Sequence, residues 1–286
     1  MKTYLKALAG QGELVYCPNA GNAGDSLIAH ATFQLFERLG IHFELYDEAR
    51  FDPAGKILIY GGGGSLVPEY VAARQFVERY HQSVKRLVIL PHTISGHADL
   101  LAALGPNVDI FTREEVSFEY VANCAPHANV FLADDLALGL NVTDLLFPDY
   151  RLPYWRIPLK RVVRRDALLL REALCRAYGK SCVLNCFRTD KERTDVGRPS
   201  GNADLSKLFK CGTQTPKQAL CATQMVFRFM NHYEEVRTNR LHLAIAGALL
   251  GKAVEFYPNS YYKCEAVYNF SMKDRFPNVK WMGVGS

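Results

Sequence analysis

No stretch of the chain reaches the roughly eighteen uninterrupted apolar residues of a membrane-spanning helix, and residues 1–12 lack the apolar core and cleavage site of a signal peptide. Neither spanning nor secretion is expected. The eight cysteines (Cys17, Cys124, Cys175, Cys182, Cys186, Cys211, Cys221, Cys264) show no CxxC spacing. That excludes a zinc ribbon or disulfide framework and leaves reduced core thiols. HxH and DxD ligand sets are missing, and Asp134-Asp135 is too short a signal to imply a metal. The glycine run at Gly61–Gly64 has no following lysine and does not stand after the first strand, so it is neither a P-loop nor a dinucleotide fingerprint. Basic residues come without an aromatic platform or recognition helix, which sets nucleic-acid binding aside.

What is present is a chain of 286 residues, 49% apolar, with a mild net charge of +5. It is long enough for one large or two ordinary cores. Apolar runs at Glu13–Cys17, His42–Tyr46, Lys56–Tyr60, Arg86–Pro91, Val108–Phe111 and Val130–Leu132 read as buried parallel strands. Helical patterns at Asp25–Leu39, Glu69–His81 and Glu115–Asn123 serve as crossovers. The prolines Pro148, Pro153 and Pro158 interrupt the pattern and mark a linker. A smaller α/β set follows: helix Arg164–Tyr178, strand Cys182–Cys186, helix Pro216–Met230 and strands Glu235–Thr238 and Ala253–Tyr257. The expected organisation is an N-terminal Rossmann-like domain over 1–150 and a C-terminal one over 151–286.

Open α/β sheets bind ligands at the C-terminal ends of their strands. Asn19 to Ile28 follows the first strand and opens a helix, with Gly21 and Gly24 giving backbone freedom and Asp25 or Ser26 suited to cap it. The alternative is an ordinary strand-to-helix turn. Gly62, Gly63 and Gly64 suit a backbone-lined cleft wall or close packing. His92 and Thr93 follow the fourth strand and Arg113 the fifth; Arg113 could equally pair with Glu114 or Glu115.

The densest charged motif is Val236 to Leu243, with Arg237, Arg240 and His242, followed by Lys263. It suits a small, multiply charged anion. The order GNAGDSLI (Gly21–Ile28), GGGGS (Gly61–Ser65), LPHT (Leu90–Thr93), TREEVS (Thr112–Ser117), ADD (Ala133–Asp135), TNRLHLAIAGALLGK (Thr238–Lys252) and NSYYK (Asn259–Lys263) resembles the polysaccharide pyruvyl transferases over nearly the whole chain. The resemblance implies two Rossmann-like domains facing a cleft, similar to the B-type glycosyltransferase fold. It also implies transfer of pyruvate from phosphoenolpyruvate to a sugar as a cyclic ketal, with phosphate released.

On that reading Arg113 and Arg240 clamp the donor, since guanidinium groups match carboxylate and phosphate bidentately. Asn239 and Lys263 belong to the same donor set, and Lys263 neutralises the departing phosphate; a plain surface lysine is its alternative. His242 is the expected general acid, projecting with Arg240 by the period of two if the segment is extended. A histidine satisfied in the core is the alternative. Asp25 and His92 are the candidate bases on the acceptor side. No metal or cofactor is expected beyond the donor substrate.

Eight basic residues lie between Arg156 and Lys180 against Asp166 and Glu172. Interleaved with Trp155, Ile157, Leu159, Val162 and Val163, they suit anionic lipid headgroups, or a solvated helix face. The expected location is cytoplasmic, with docking on the inner face of the membrane and a lipid-linked saccharide acceptor left open. A glycosyltransferase using a nucleotide sugar is the competing reading of the same fold.

Overall fold

The computed structural model describes residues 1–147, 159–177, 183–194, 199 and 201–283. Pro148 to Pro158, where the linker is expected, lie outside the described residues, as do Trp155 and Ile157. Two compact units emerge. One comprises Met1–Ala20, Ile28–Gly139 and Thr213–Pro216; the other Gly21–Leu27, Leu140–Gly212 and Lys217–Ser286. The glycine-rich turn after the first strand therefore groups with the later part of the chain.

The first unit runs α1 (Lys2–Ala9), β1 (Leu14–Cys17), α2 (Ala23–Leu39, whose first turn groups with the other unit), β2 (Glu44–Leu45), β3 (Ile57–Tyr60), β4 (Gly63–Leu66), α3 (Ala72–Tyr80), β5 (Arg86–Ile94), α4 (Ala98–Ala103), β6 (Val108–Thr112), α5 (Glu115–Cys124) and β7 (Asn129–Leu132). Its sheet has the order β2-β1-β3-β5-β6-β7, every pair parallel, with β4 also on β5. Strands β1, β3 and β6 are buried throughout, as expected of parallel strands with both faces covered. Each buried Val, Leu or Ile there is worth about 1.5–3 kcal/mol, so the continuous apolar runs rather than local propensity hold the sheet. Val15, Leu58, Leu87, Ile89 and Ile110 share one core with Val77 and Tyr80 of α3 and Val121 of α5.

Two departures from the sequence reading bear on the site. β5 continues past Pro91 to Ile94, because its outer half pairs with β4 rather than β3. The glycine run, expected as a wall after a strand, is itself partly strand. A Cβ on Gly62 would lie 2.8 Å from the Pro91 carbonyl oxygen, and one on Gly63 2.3 Å from Asn19 Nδ2. These positions are glycine because neighbouring segments press on them.

The second unit contains α6 (Val142–Leu146), α7 (Leu159–Ala177), β8 (Val183–Asn185), α8 (Leu205–Leu208), α9 (Pro216–Asn231), β9 (Glu235–Thr238), α10 (Leu241–Leu249), β10 (Ala253–Phe256), α11 (Lys263–Val267) and β11 (Val279–Trp281). Its sheet is parallel, ordered β11-β10-β9-β8. α10 is nearly all buried, and a Cβ on Gly247 would come 2.8 Å from Val254 Cγ2. The small-residue run at Ala244–Gly251 thus lets helix and sheet approach closely.

Candidate active site

Thr238 ends β9, flanked by β8 and β10, and turns the chain sharply. Its hydroxyl donates to the Cys186 carbonyl at 2.8 Å and accepts from Arg240 N at 3.0 Å. Arg240, still extended at φ −102°, ψ 112°, is the N-cap of α10. Its guanidinium is buried and forks onto Asp204, Nε to Oδ1 at 2.8 Å and Nη2 to Oδ2 at 2.6 Å, with Asp190 Oδ2 2.8 Å from Nη2.

Arg188, just beyond β8, joins the same cluster. Its Nε donates to Asp190 Oδ1 at 2.7 Å, and its Nη1 lies 2.6 Å from Glu192 Oε2. Lys263, opening α11, reaches Glu192 Oε2 at 2.5 Å and lies over the Tyr261 ring. Asn259 Nδ2 donates to the same carboxylate oxygen, at 3.3 Å. Asn239 holds the frame, its Oδ1 accepting from Arg188 N at 2.8 Å. The second unit therefore brings Asn239, Arg240 and Lys263 together with Arg188, Asp190, Glu192 and Asp204. Three cations face three carboxylates, because charge removed from water must be matched. Burial opposes ionisation of Asp190, but Arg188 and Arg240 outweigh it and hold its carboxyl well below the usual range.

His242 lies within the first turn of α10, one residue past Leu241. The helix starts at Leu241, so the two-residue period of an extended segment stops before it. Half-buried, its ring packs on the first turn of α2, where a Cβ on Gly24 would lie 2.8 Å from His242 Nδ1. That turn is a reciprocal cap: Asn22 Oδ1 accepts from Gly24 N, and Asp25 Oδ2 accepts from Asn22 N, each at 2.8 Å. Asn22, not Asp25 or Ser26, is the cap. A Cβ on Gly21 would collide with the Asp25 carboxylate. Gly21, Gly24, Asp25 and His242 thus form one neighbourhood within the second unit.

The expected residues of the first unit lie deep. His92 is fully buried on β5, and its Nε2 accepts from Ser65 N at 3.1 Å, which places that nitrogen in its unprotonated form. Tyr60 and Ser65 hydroxyls donate to Asn19 Oδ1 beside it, at 2.9 and 3.0 Å. Gly64 is half-buried on β4. Arg113 is 1% exposed and pairs with neither Glu114 nor Glu115; its Nη1 meets Asp135 Oδ2 at 2.8 Å and its Nε donates to Thr93 Oγ1 at 2.9 Å. Glu114 instead caps α5, accepting from Ser117 N at 2.8 Å, and burial raises its pKa. Among the described residues no cluster of His, Cys, Asp and Glu could hold a metal ion, and no helix is long and apolar enough to cross a membrane.

Parallel α/β layers, one with a buried charge cage beyond its strand ends, form a Rossmann-like frame with charged groups where such sheets bind ligands. Residues 22–181 match the family described as polysaccharide pyruvyl transferase, more than half of the chain, and the chain belongs to that family. It is similar to a protein of Bacillus subtilis (strain 168) named "Putative pyruvyl transferase EpsO", 28% identical over 305 residues that cover 96% of this chain and 90% of that one. It is also similar to a crystal structure of a functional uncharacterized protein from Klebsiella pneumoniae subsp. pneumoniae. The TM-score is 0.80 and the identity 31%, covering 99% of this chain and 97% of the other. The enzyme is a transferase that places pyruvyl groups on polysaccharide. The family match includes Asp25, His92 and Arg113 but ends before Arg188, Arg240, His242 and Lys263.

The sequence reading gave no role to Arg188, Asp190, Glu192 and Asp204, which fall between the strand Cys182–Cys186 and the helix Pro216–Met230. A signal was there: Arg188, Asp190 and Glu192 recur at every second residue shortly after β8, the spacing that puts side chains on one side of an extended segment.

Proposed function

We propose that the enzyme transfers pyruvate from phosphoenolpyruvate to two hydroxyls of a sugar in a polysaccharide precursor, forming a cyclic ketal and releasing phosphate, with no metal or cofactor. The observation that carries this reading is the convergence of Arg188, Arg240 and Lys263 at the strand ends of one sheet, a basic set sized for a small anion with a carboxylate and a phosphate. The B-type glycosyltransferase-like architecture is part of the same reading.

Protonation of C3 of the enol makes C2 electrophilic. One sugar hydroxyl attacks C2, the C2–O bond to phosphate breaks, and the second hydroxyl closes the ring. One proton enters at carbon and two leave the hydroxyls, one of them with the phosphate. His242 delivers the proton to C3, an imidazole being suited to proton transfer near neutral pH. Asp25, in the same neighbourhood, receives protons from the acceptor. His92 and Arg113 are both buried within the first unit.

The acceptor in this reading is lipid-linked, and α7 brings the enzyme to it. Leu159, Val163, Leu170 and Leu174 are exposed at 76%, 60%, 62% and 51% on one helical face, with Lys160 and Arg164 exposed nearby. Anionic headgroups complement such a face. The deciding experiment supplies phosphoenolpyruvate and a panel of nucleotide sugars with lipid-linked and free galactosides and N-acetylhexosamines. Phosphate release from phosphoenolpyruvate with a pyruvyl mass gain on the sugar is expected; turnover of a nucleotide sugar alone overturns the reading.

A further inference from the structure

Six charged side chains form the cage, and five of them are nearly closed to solvent. Arg188, Glu192 and Arg240 are each 5% exposed, Asp204 6% and Lys263 9%, whereas Asp190 is 23% exposed. Two of the carboxylates are tied to further partners. Asp204 receives the Arg240 fork and also Thr189 N at 3.1 Å and Thr189 Oγ1 at 3.0 Å. Glu192 lies between Lys263, Arg188 and Asn259. Asp190 differs: besides the two arginines it accepts only a long bond from Glu192 N, 3.3 Å to Oδ1, among its described contacts.

Its carboxylate takes both Nε and Nη2 of Arg188, at 2.7 and 3.2 Å, and Nη2 of Arg240 at 2.8 Å. This is the contact pattern of a carboxylate or phosphate held between two guanidinium groups. With Asp190 in place the cage is neutral and offers an anion no net attraction. Were Asp190 missing altogether, Arg188 and Arg240 would be buried side by side with a surplus positive charge, a costly arrangement in an empty enzyme.

We infer that Asp190 is an internal stand-in for the donor anion, seated on Arg188 and Arg240 in the empty enzyme and displaced when the donor's charged group takes its place. Asp190 thereby sets donor affinity and discriminates against weakly charged anions, which cannot outcompete it. The inference rests on the donor assignment above only for the identity of the anion; the displacement itself concerns any small multivalent oxyanion.

Calorimetry with inorganic phosphate on the full-length protein reads the displacement without turnover. Asp190→Asn keeps the size and the acceptor oxygen while removing the charge, and its phosphate affinity is expected to rise about tenfold, a factor of ten being 1.4 kcal/mol. Asp190→Ser is expected to shift in the same direction. Affinity equal to or below that of the unsubstituted protein in both variants overturns the inference and makes Asp190 a spacer between like charges. If neither variant folds, hydrogen exchange on the unsubstituted protein decides: phosphate is expected to speed exchange of Glu192 N–H, and unchanged or slower exchange overturns the inference. Tighter phosphate binding by Asp190→Asn in an enzyme that forms no ketal from phosphoenolpyruvate would remove the donor assignment and leave the displacement standing.

Discussion

The imidazole of His242 rests on the backbone of Gly24, so closely that a Cβ on the glycine would lie 2.8 Å from Nδ1 and 3.3 Å from the histidine Cβ. One residue opens α10 and the other opens α2, and only folding joins them.

Gly24→Ala tests that contact. Alanine inside a helix is ordinarily favoured over glycine by about 1 kcal/mol, so any loss comes from the side chains the new Cβ displaces, His242 first and then Asn22, whose Oδ1 would lie 3.0 Å away. Turnover is expected to fall roughly a hundredfold, the scale of a misplaced catalytic group. Donor affinity by calorimetry is expected to hold. Unchanged turnover would show that His242 is positioned by something else.

Arg240→Ala and His242→Ala should separate binding from chemistry. The first leaves buried Asp204 without its fork, so a loss of about 3–5 kcal/mol in denaturant unfolding is expected together with weakened phosphoenolpyruvate binding. The second is expected to abolish turnover with donor affinity and melting temperature nearly intact. Equal losses of affinity in both variants would make His242 a binding residue.

Acid stability should report Asp190. Its folded pKa is depressed, so its contribution is present above the unfolded carboxyl value, about 3.9, and drains as pH falls below that value toward the folded one. Urea midpoints at about pH 5 and pH 3 should therefore differ less in Asp190→Asn than in the unsubstituted protein. Identical pH slopes would show that the carboxylate titrates alike in both states.

Sedimentation with vesicles tests α7. Binding to anionic vesicles and not to zwitterionic ones is expected, declining as salt rises, with Leu170→Glu or Lys160→Glu reducing it. Retention of full binding by both variants would remove this face from the lipid surface.

The parallel strands were legible because burial on both faces leaves unbroken apolar runs such as Ile57–Tyr60, and the turn into α10 was legible as charge packed between two apolar segments. β4 was not, since a glycine strand carries no apolar period; it is fixed by pairing with β5. Arg113 was read beside Glu114 and Glu115, its neighbours in sequence, whereas its ion-pair partner is Asp135, on a different segment. Arg188 and its carboxylates were hidden for the same reason: local spacing shows charges, not which distant charge neutralises them.

By itself the sequence determined the α/β class, the resemblance to one family, and the presence of an anion-sized basic set around Arg240 and Lys263. The tertiary structure alone decided that this set is already balanced by Asp190, Glu192 and Asp204, and that His242 packs against Gly24. Apolar period and strand-end chemistry are local and written along the chain. Charge compensation and ring contacts join segments far apart in sequence, so they exist only once the chain has folded.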